Sequence, residues 1–159
     1  MKKYYLAYGS NLNLYSMKMR CPNAVTVSRG VLDNYRLAYK GGDDGYAYLT
    51  IEEAEDCQVP VGIFEVTDSD ITKLDYYEGY PVFYEKMYLP IRIRFLKKKA
   101  LIYVMRDEFS YHVPSDQYVK TCMEGYSHFG FDKKILDEAL AYSIENIPKQ
   151  KTKSKEKEM

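Results

Sequence analysis

The chain of 159 residues has no tryptophan, three cysteines, two histidines and no net charge. Each scarcity excludes something. Cys21, Cys57 and Cys122 are odd in number and widely spaced, with no CxxC or Cys/His pair at zinc spacing. Neither a disulfide framework nor a zinc site is expected. His112 and His128 lie too far apart in sequence to share a helical face as i,i+4 ligands, so no metal is expected there. No apolar run approaches the ~18 residues of a membrane span. The stretch Tyr4-Tyr5-Leu6-Ala7-Tyr8 behind Lys2 and Lys3 is too short for the core of a secretion signal. A reducing cytoplasm is the expected location. With 23 basic against 23 acidic residues, the chain lacks the excess that nucleic acid or an anionic membrane asks of a bulk partner. A small molecule is the expected partner, without nucleic acid, membrane or cofactor. The oligomeric state is not legible.

Tyrosine is what the chain has in plenty. Its 18 Tyr, beside 6 Phe, are the main aromatic material for core and pocket alike. Apolar residues at 46% and charged residues at 29% are those of an ordinary globular domain. One domain of this length buries roughly two thirds of the surface its unfolded chain exposes. The charge balance is uneven along the chain. Residues 149–159 hold five Lys and two Glu, net +3, and the remaining 148 residues carry −3. That tail has no apolar residue before Met159. The expected division is therefore a domain over 1–148 and a disordered, lysine-rich tail over 149–159.

Periodicity and turn residues predict an α+β domain of about six strands and three or four helices, the many short strands favouring a barrel or a strongly curled sheet. Tyr4 to Tyr8 reads as a buried strand ending in a Gly9-Ser10-Asn11 turn, and Leu12 to Arg20 as a short helix capped by Asn11 or Asn13. Val25 to Tyr39 reads as two strand segments broken near Asp33-Asn34. Strands follow at Tyr46 to Ile51 and Val59 to Val66. Asp68 or Ser69 can cap a helix closed by Gly79. Phe83 to Phe95 reads as a strand pair or a strand bent at Pro90, and Ala100 to Met105 as another strand. Ser115 and Asp132 can cap the last two helices, with Pro148 as the final stop.

Two segments can carry chemistry. A strand ending in Tyr8-Gly9-Ser10-Asn11-Leu12 can aim consecutive backbone N–H groups at one anion, with Ser10 and Asn11 adding side-chain donors. A plain turn is the alternative. The other segment is Leu74-Asp75-Tyr76-Tyr77-Glu78-Gly79-Tyr80-Pro81. Glu78 falls at the negative end of a helix among tyrosines, where its pKa should rise towards that of a neutral-pH acid or base. An exposed glutamate in a frayed last turn is the alternative. Asp75 can be a cap partner, a salt-bridge member or a second carboxylate. Cys122 reads as a buried core thiol, and Lys97-Lys98-Lys99 as a solvated basic turn.

Together these segments resemble the γ-glutamylcyclotransferase superfamily. YLAYGSNLN followed by Met19-Arg20-Cys21-Pro22-Asn23-Ala24 is similar to that family's first strand, YGSNL loop and first helix. LDYYEGYPVFYEK resembles its LDxxEG segment, and Pro114-Ser115-Asp116-Gln117-Tyr118 with Cys122 and Gly125 its PSxxYxxxCxxG helix start. The likeness runs in order over residues 4–145. It implies a small mixed β-barrel flanked by helices, no cofactor, and an enzyme that cyclises a γ-glutamyl group to 5-oxoproline with release of an amine or amino acid. It implies Glu78 as the catalytic residue and Tyr8, Gly9, Ser10, Asn11 and Leu12 as the cradle of the substrate carboxylate. Tyr84, Tyr118 and Tyr103 follow as pocket tyrosines. The glutathione-specific branch has an aromatic residue after YGSL, and Asn11 here leans away from glutathione. A non-catalytic module binding a small amino-acid-like anion is the alternative on the same fold.

Overall fold

A computed structural model of the chain describes residues 2–41 and 45–158, with side chains described as far as Ile147. The elements in order are β1 (Lys3–Ala7), a 3-10 turn (Ser10–Leu12), α1 (Leu14–Arg20), β2 (Val25–Gly41), β3 (Ala47–Val66), α2 (Asp68–Glu78), β4 (Tyr84–Ile93), β5 (Leu96–Met105), β6 (Ser110–Tyr111), α3 (Asp116–Phe129) and α4 (Lys134–Glu158). Six strands form one mixed sheet in the order β4-β5-β1-β3-β2-β6. Among the described strands only β1 with β5 is a parallel pair and the others are antiparallel, with one isolated parallel bridge between Ala47 and Pro114. The expected content of strands and helices is present. The barrel is a half-barrel, because β4 and β6 remain unpaired edges and β6, two residues long, is too short to close it.

Several expectations need correction. Val25 to Gly41 is one strand of 17 residues, and Ala47 to Val66 is one of 20 that runs straight through residues 52–58. The break foreseen at Asp33-Asn34 is a bulge inside their pairing. Asn34 and Asp56 take left-handed φ there, and Asp56 N–H donates to Asn34 Oδ1 at 3.2 Å. A bulge keeps a strand continuous while bending it, which suits a curled sheet. Phe83 to Phe95 contains a single strand, β4, turned back onto β5 by Arg94 and Phe95. Pro90 is tolerated because β4 is an edge. Gly41-Gly42-Asp43-Asp44-Gly45 reads in the sequence as a turn or loop, and residues 42–44 of it lie outside the described residues. α4 continues past Pro148, so that proline is not the stop. Residues 149–158 of the tail continue this helix, while their side chains and Met159 lie outside the described residues.

The caps fix how the helices enter the site. Thr67, not Asp68 or Ser69, caps α2. Its hydroxyl accepts from Asp70 N–H at 3.1 Å, and Asp70 Oδ2 accepts from Thr67 N–H at 2.9 Å. This reciprocal box sets where α2 begins and thereby which residue ends it. Gly79 closes α2 with φ 67, which leaves Glu78 in the last helical position. Asn13 caps α1 by accepting from Tyr15 and Ser16 N–H. Ser115 caps α3 by accepting from Tyr118 N–H at 3.2 Å. α3 then lies directly on the 3-10 turn, because Gly125 has no side chain. A Cβ there would stand 2.5 Å from Asn13 N and 2.7 Å from Leu12 C. That close approach holds the turn, β1 and α3 together under one end of α2.

Candidate active site

Where β1 ends, the 3-10 turn, α2, β3, β4, β5 and α3 converge around a cavity of about 320 Å³. The turn comes from β1 through Gly9. Its internal bonds are Leu12 N–H to Gly9 O and Asn13 N–H to Ser10 O, both 3.0 Å. Ser10 and Asn11 N–H therefore have no partner within the turn, as at the start of any helix. Gly9 leaves space for Tyr118, whose hydroxyl would lie 3.3 Å from a Cβ at that position.

Glu78 reaches the same cavity from α2. Its Oε1 is 3.5 Å from Asn11 Nδ2, a long contact, and the same amide nitrogen donates to Tyr5 OH at 2.9 Å. Burial raises the Glu78 carboxyl from its ordinary 4.5 to about 7, against the opposing pull of the Arg20 guanidinium. The negative end of α2 acts in the same direction as burial. The result is a carboxyl that both holds and gives up a proton near neutrality.

Tyrosine hydroxyls build the walls, and each has a fixed job. Tyr8 donates to Tyr103 O at 2.6 Å, Tyr84 donates to Leu49 O at 2.8 Å, and Tyr118 accepts from Leu49 N–H at 3.0 Å. Tyr103 donates to Asp75 Oδ1 at 2.6 Å, and Lys86 Nζ donates to Asp75 Oδ2 at 2.8 Å. Burial pushes the Tyr8, Tyr84, Tyr103 and Tyr118 hydroxyls above their ordinary pKa, with the Glu78 charge adding to the effect. They remain neutral donors and acceptors at any working pH.

Eight of the nine anticipated site residues line this cavity: Tyr8, Gly9, Ser10, Asn11, Glu78, Tyr84, Tyr103 and Tyr118. The exception is Leu12. It is fully buried in the core, against the bare faces of Gly62 and Gly125. It belongs to the motif because it anchors the turn, not because it lines the pocket. Cys122 is a core thiol as expected, and burial pushes it up to about 12, which leaves no thiolate for nucleophilic work. Of the three readings of Asp75, the salt-bridge member is the one seen, with Lys86 as its partner.

Arg20 was not anticipated. It donates to Asn11 Oδ1 and to Tyr77 OH, and its guanidinium lies over the Tyr77 ring at 3.6 Å. By taking the amide oxygen it turns the Asn11 NH2 towards Glu78. Tyr5, Tyr48 and Phe83 also line the cavity, whereas Tyr80 does not and carries Lys86 over its ring instead. In the sequence Arg20 stands at the end of α1, within the segment that resembles the family's first helix, but with no role at the site attached to it. A search for a cation one helix away from the GSN turn would have found it.

Known proteins agree with this architecture. The family described as gamma-glutamyl cyclotransferase, AIG2-like, matches residues 5–122. No curated protein sequence matches the chain. A solved structure named Gamma-glutamyl cyclotransferase superposes with a TM-score of 0.77 at 20% identity, over 87% of this chain and 86% of that one. The Homo sapiens protein loc79017 does so with a TM-score of 0.75 at 20% identity, over the same shares. YkqA from Bacillus subtilis does so with a TM-score of 0.71 at 15% identity, over 89% of this chain and 54% of that one. At these identities the likeness is one of fold. With the family model spanning β1 to α3, this chain belongs to the gamma-glutamyl cyclotransferase, AIG2-like family.

Proposed function

We propose that the protein cyclises a γ-glutamyl compound to 5-oxoproline and releases the attached amine or amino acid, with Glu78 as general base and then general acid. One observation carries the reading. The carboxyl with a pKa of about 7 sits in a tyrosine-walled cavity beside two backbone N–H groups that their own turn leaves unused. A γ-glutamyl substrate supplies an α-carboxylate for those donors and an α-ammonium for the carboxylate of Glu78.

The chemistry follows from the substrate's own geometry. Its α-amine reaches its γ-carbonyl through a five-membered ring, so the protein's first task is to hold the two ends together. Ser10 and Asn11 N–H groups hold the α-carboxylate. Ionised Glu78 takes one proton from the α-ammonium, and the freed nitrogen lone pair attacks the γ-carbonyl carbon. The carbonyl oxygen becomes an oxyanion, for which tyrosine hydroxyls in the cavity are the available donors. Glu78 passes its proton to the departing nitrogen, the bond from the γ-carbon to that nitrogen breaks, and the carbonyl re-forms. The second ammonium proton leaves the new lactam nitrogen and ends on the released amine. Glu78 finishes ionised, as it started, and no covalent enzyme intermediate or cofactor enters the balance.

A panel of γ-glutamyl amino acids, γ-glutamyl amines and glutathione, assayed for 5-oxoproline by mass spectrometry, tests the proposal. Release from at least one compound other than glutathione is expected. Binding of these compounds, seen as a thermal shift without product from any of them, would instead identify a binding module.

A further inference from the structure

The far end of the β4–β5 hairpin has a composition unlike the rest of the molecule. Between Glu85 and Asp107 there is no acidic residue, while Arg92, Arg94, Lys97, Lys98 and Lys99 crowd the turn. All five are exposed, and among the described residues none of them forms an ion pair. Arg92 stands directly opposite Lys97 in the strand register. Like charges so placed repel, and a fold does not gain stability from them. Lys99 follows two residues on and shares their face, and Arg94 sits at the turn with φ 58.

Between these cations the two turn-end residues are apolar. Phe95 is 96% exposed and Leu96 is 61% exposed, in a protein whose other phenylalanines are at least partly buried. β1 pairs with β5 no further out than Ala100, so from Lys99 to the turn the hairpin is a two-stranded ribbon. Protection of an edge strand against aggregation accounts for Arg92 and Pro90 on β4. Beyond Ala100 β5 is an edge as well, so the same protection covers its three lysines, but it does not account for a bare phenylalanine and leucine at the tip.

We propose that the tip of the β4–β5 hairpin docks this protein on an anionic lipid bilayer, with Phe95 and Leu96 entering the interface and the five cations meeting the headgroup anions. Nucleic acid would answer the charge alone. A bilayer surface answers both the charge and the apolar tip, because it offers anions at the level of the strands and hydrocarbon just beyond them. Attraction to such a surface is local, falling off within a Debye length of about 8 Å. The zero net charge of the whole chain therefore does not oppose it. The cavity lies at the other end of the hairpin, nine register pairs away at Tyr84 and Met105. That is about 30 Å at 3.4 Å per residue, so docking leaves the cavity mouth free.

The absence of tryptophan gives a clean probe. Phe95→Trp in the full chain would be the only indole. Mixed with phosphatidylcholine vesicles containing 30% phosphatidylserine, roughly the regime of an anionic leaflet, its emission should shift to the blue and be quenched by brominated acyl chains. Phosphatidylcholine alone should do neither. In co-sedimentation with the same anionic vesicles, wild type should pellet. The double variants Phe95→Ser/Leu96→Ser and Lys97→Glu/Lys98→Glu should each lose at least ~10-fold in partitioning, and 0.5 M salt should release the protein. None of these residues touches the cavity, so 5-oxoproline release should be unchanged in both. Absence of binding to anionic vesicles would overturn the proposal. Binding that survives both double variants would also overturn it, by assigning the contact to the lysine-rich end of α4. Oligonucleotide binding of equal strength that ignores the Phe95→Ser/Leu96→Ser change would reassign the patch to nucleic acid.

Discussion

Asp75 and Glu78 are carboxylates three residues apart on the last turn of α2, and the fold treats them oppositely. Asp75 receives a lysine ammonium at 2.8 Å and a tyrosine hydroxyl at 2.6 Å. Glu78 receives one amide nitrogen at 3.5 Å and is pushed up to about 7 by burial. Helix position alone does not separate them, since both feel the same dipole end. Their partners do. A carboxylate whose charge is matched ties α2 to β4 and β5. One whose charge is left unmatched inside a cavity is poised to move a proton.

The widest gap between the two should appear in the rate. Glu78→Gln keeps the shape and removes the base, so 5-oxoproline release should fall by ~10²–10⁴, measured under saturating substrate. Asp75→Asn should cost less than about tenfold, within the range of a misplacement not a missing base. Equal losses would break the comparison.

Stability should run the other way. Glu78 binds its proton more tightly folded than unfolded, with a pKa of about 7 against an ordinary 4.5. Its ionisation therefore weakens the fold as pH rises from about 4.5 to 7, and the favourable contribution is complete only below that window. Glu78→Gln should remove the penalty. At pH 8 it should gain on the order of 3 kcal/mol over wild type, and at pH 4 almost nothing, in chemical denaturation. Asp75→Asn leaves Lys86 without its counter-charge and should lose about 1–2 kcal/mol.

Smaller effects sharpen the picture of Glu78 itself. Arg20 lowers the proton affinity of Glu78 and holds the Asn11 amide. Arg20→Gln should move the acid limb of kcat/KM up by roughly half a pH unit or more. Tyr118→Phe leaves Leu49 N–H without its acceptor. It should slow turnover only a few-fold and cost about 1 kcal/mol in stability.

Much of this was legible because it is local. The GSN turn, the Gly79 closure and the position of Glu78 at the helix end follow from neighbouring residues. Arg20 and Tyr77 meet across 57 residues, and only the packing of α1 on α2 brings them together. The middle of β3 was missed for a different reason. Residues 52–58 are mostly exposed or half-buried, so no core face imposes an alternating pattern on that polar run. Leu12 stands apart from its neighbours in the cavity because a motif groups residues by proximity in sequence. The turn sends its backbone to the cavity and its side chain to the core. At the hairpin, Lys97 to Lys99 read as a plain basic turn, since Phe95 at its tip could as well have been folded inward.

The pH dependence of kcat/KM for 5-oxoproline release tests the central claim most directly, because it reports the ionisation of the free protein's essential base. The expected profile rises through an acid limb at about pH 7, where Glu78 titrates. A profile that is flat from pH 5.5 to 8, or a Glu78→Gln variant with the rate and limb of wild type, would contradict the assignment.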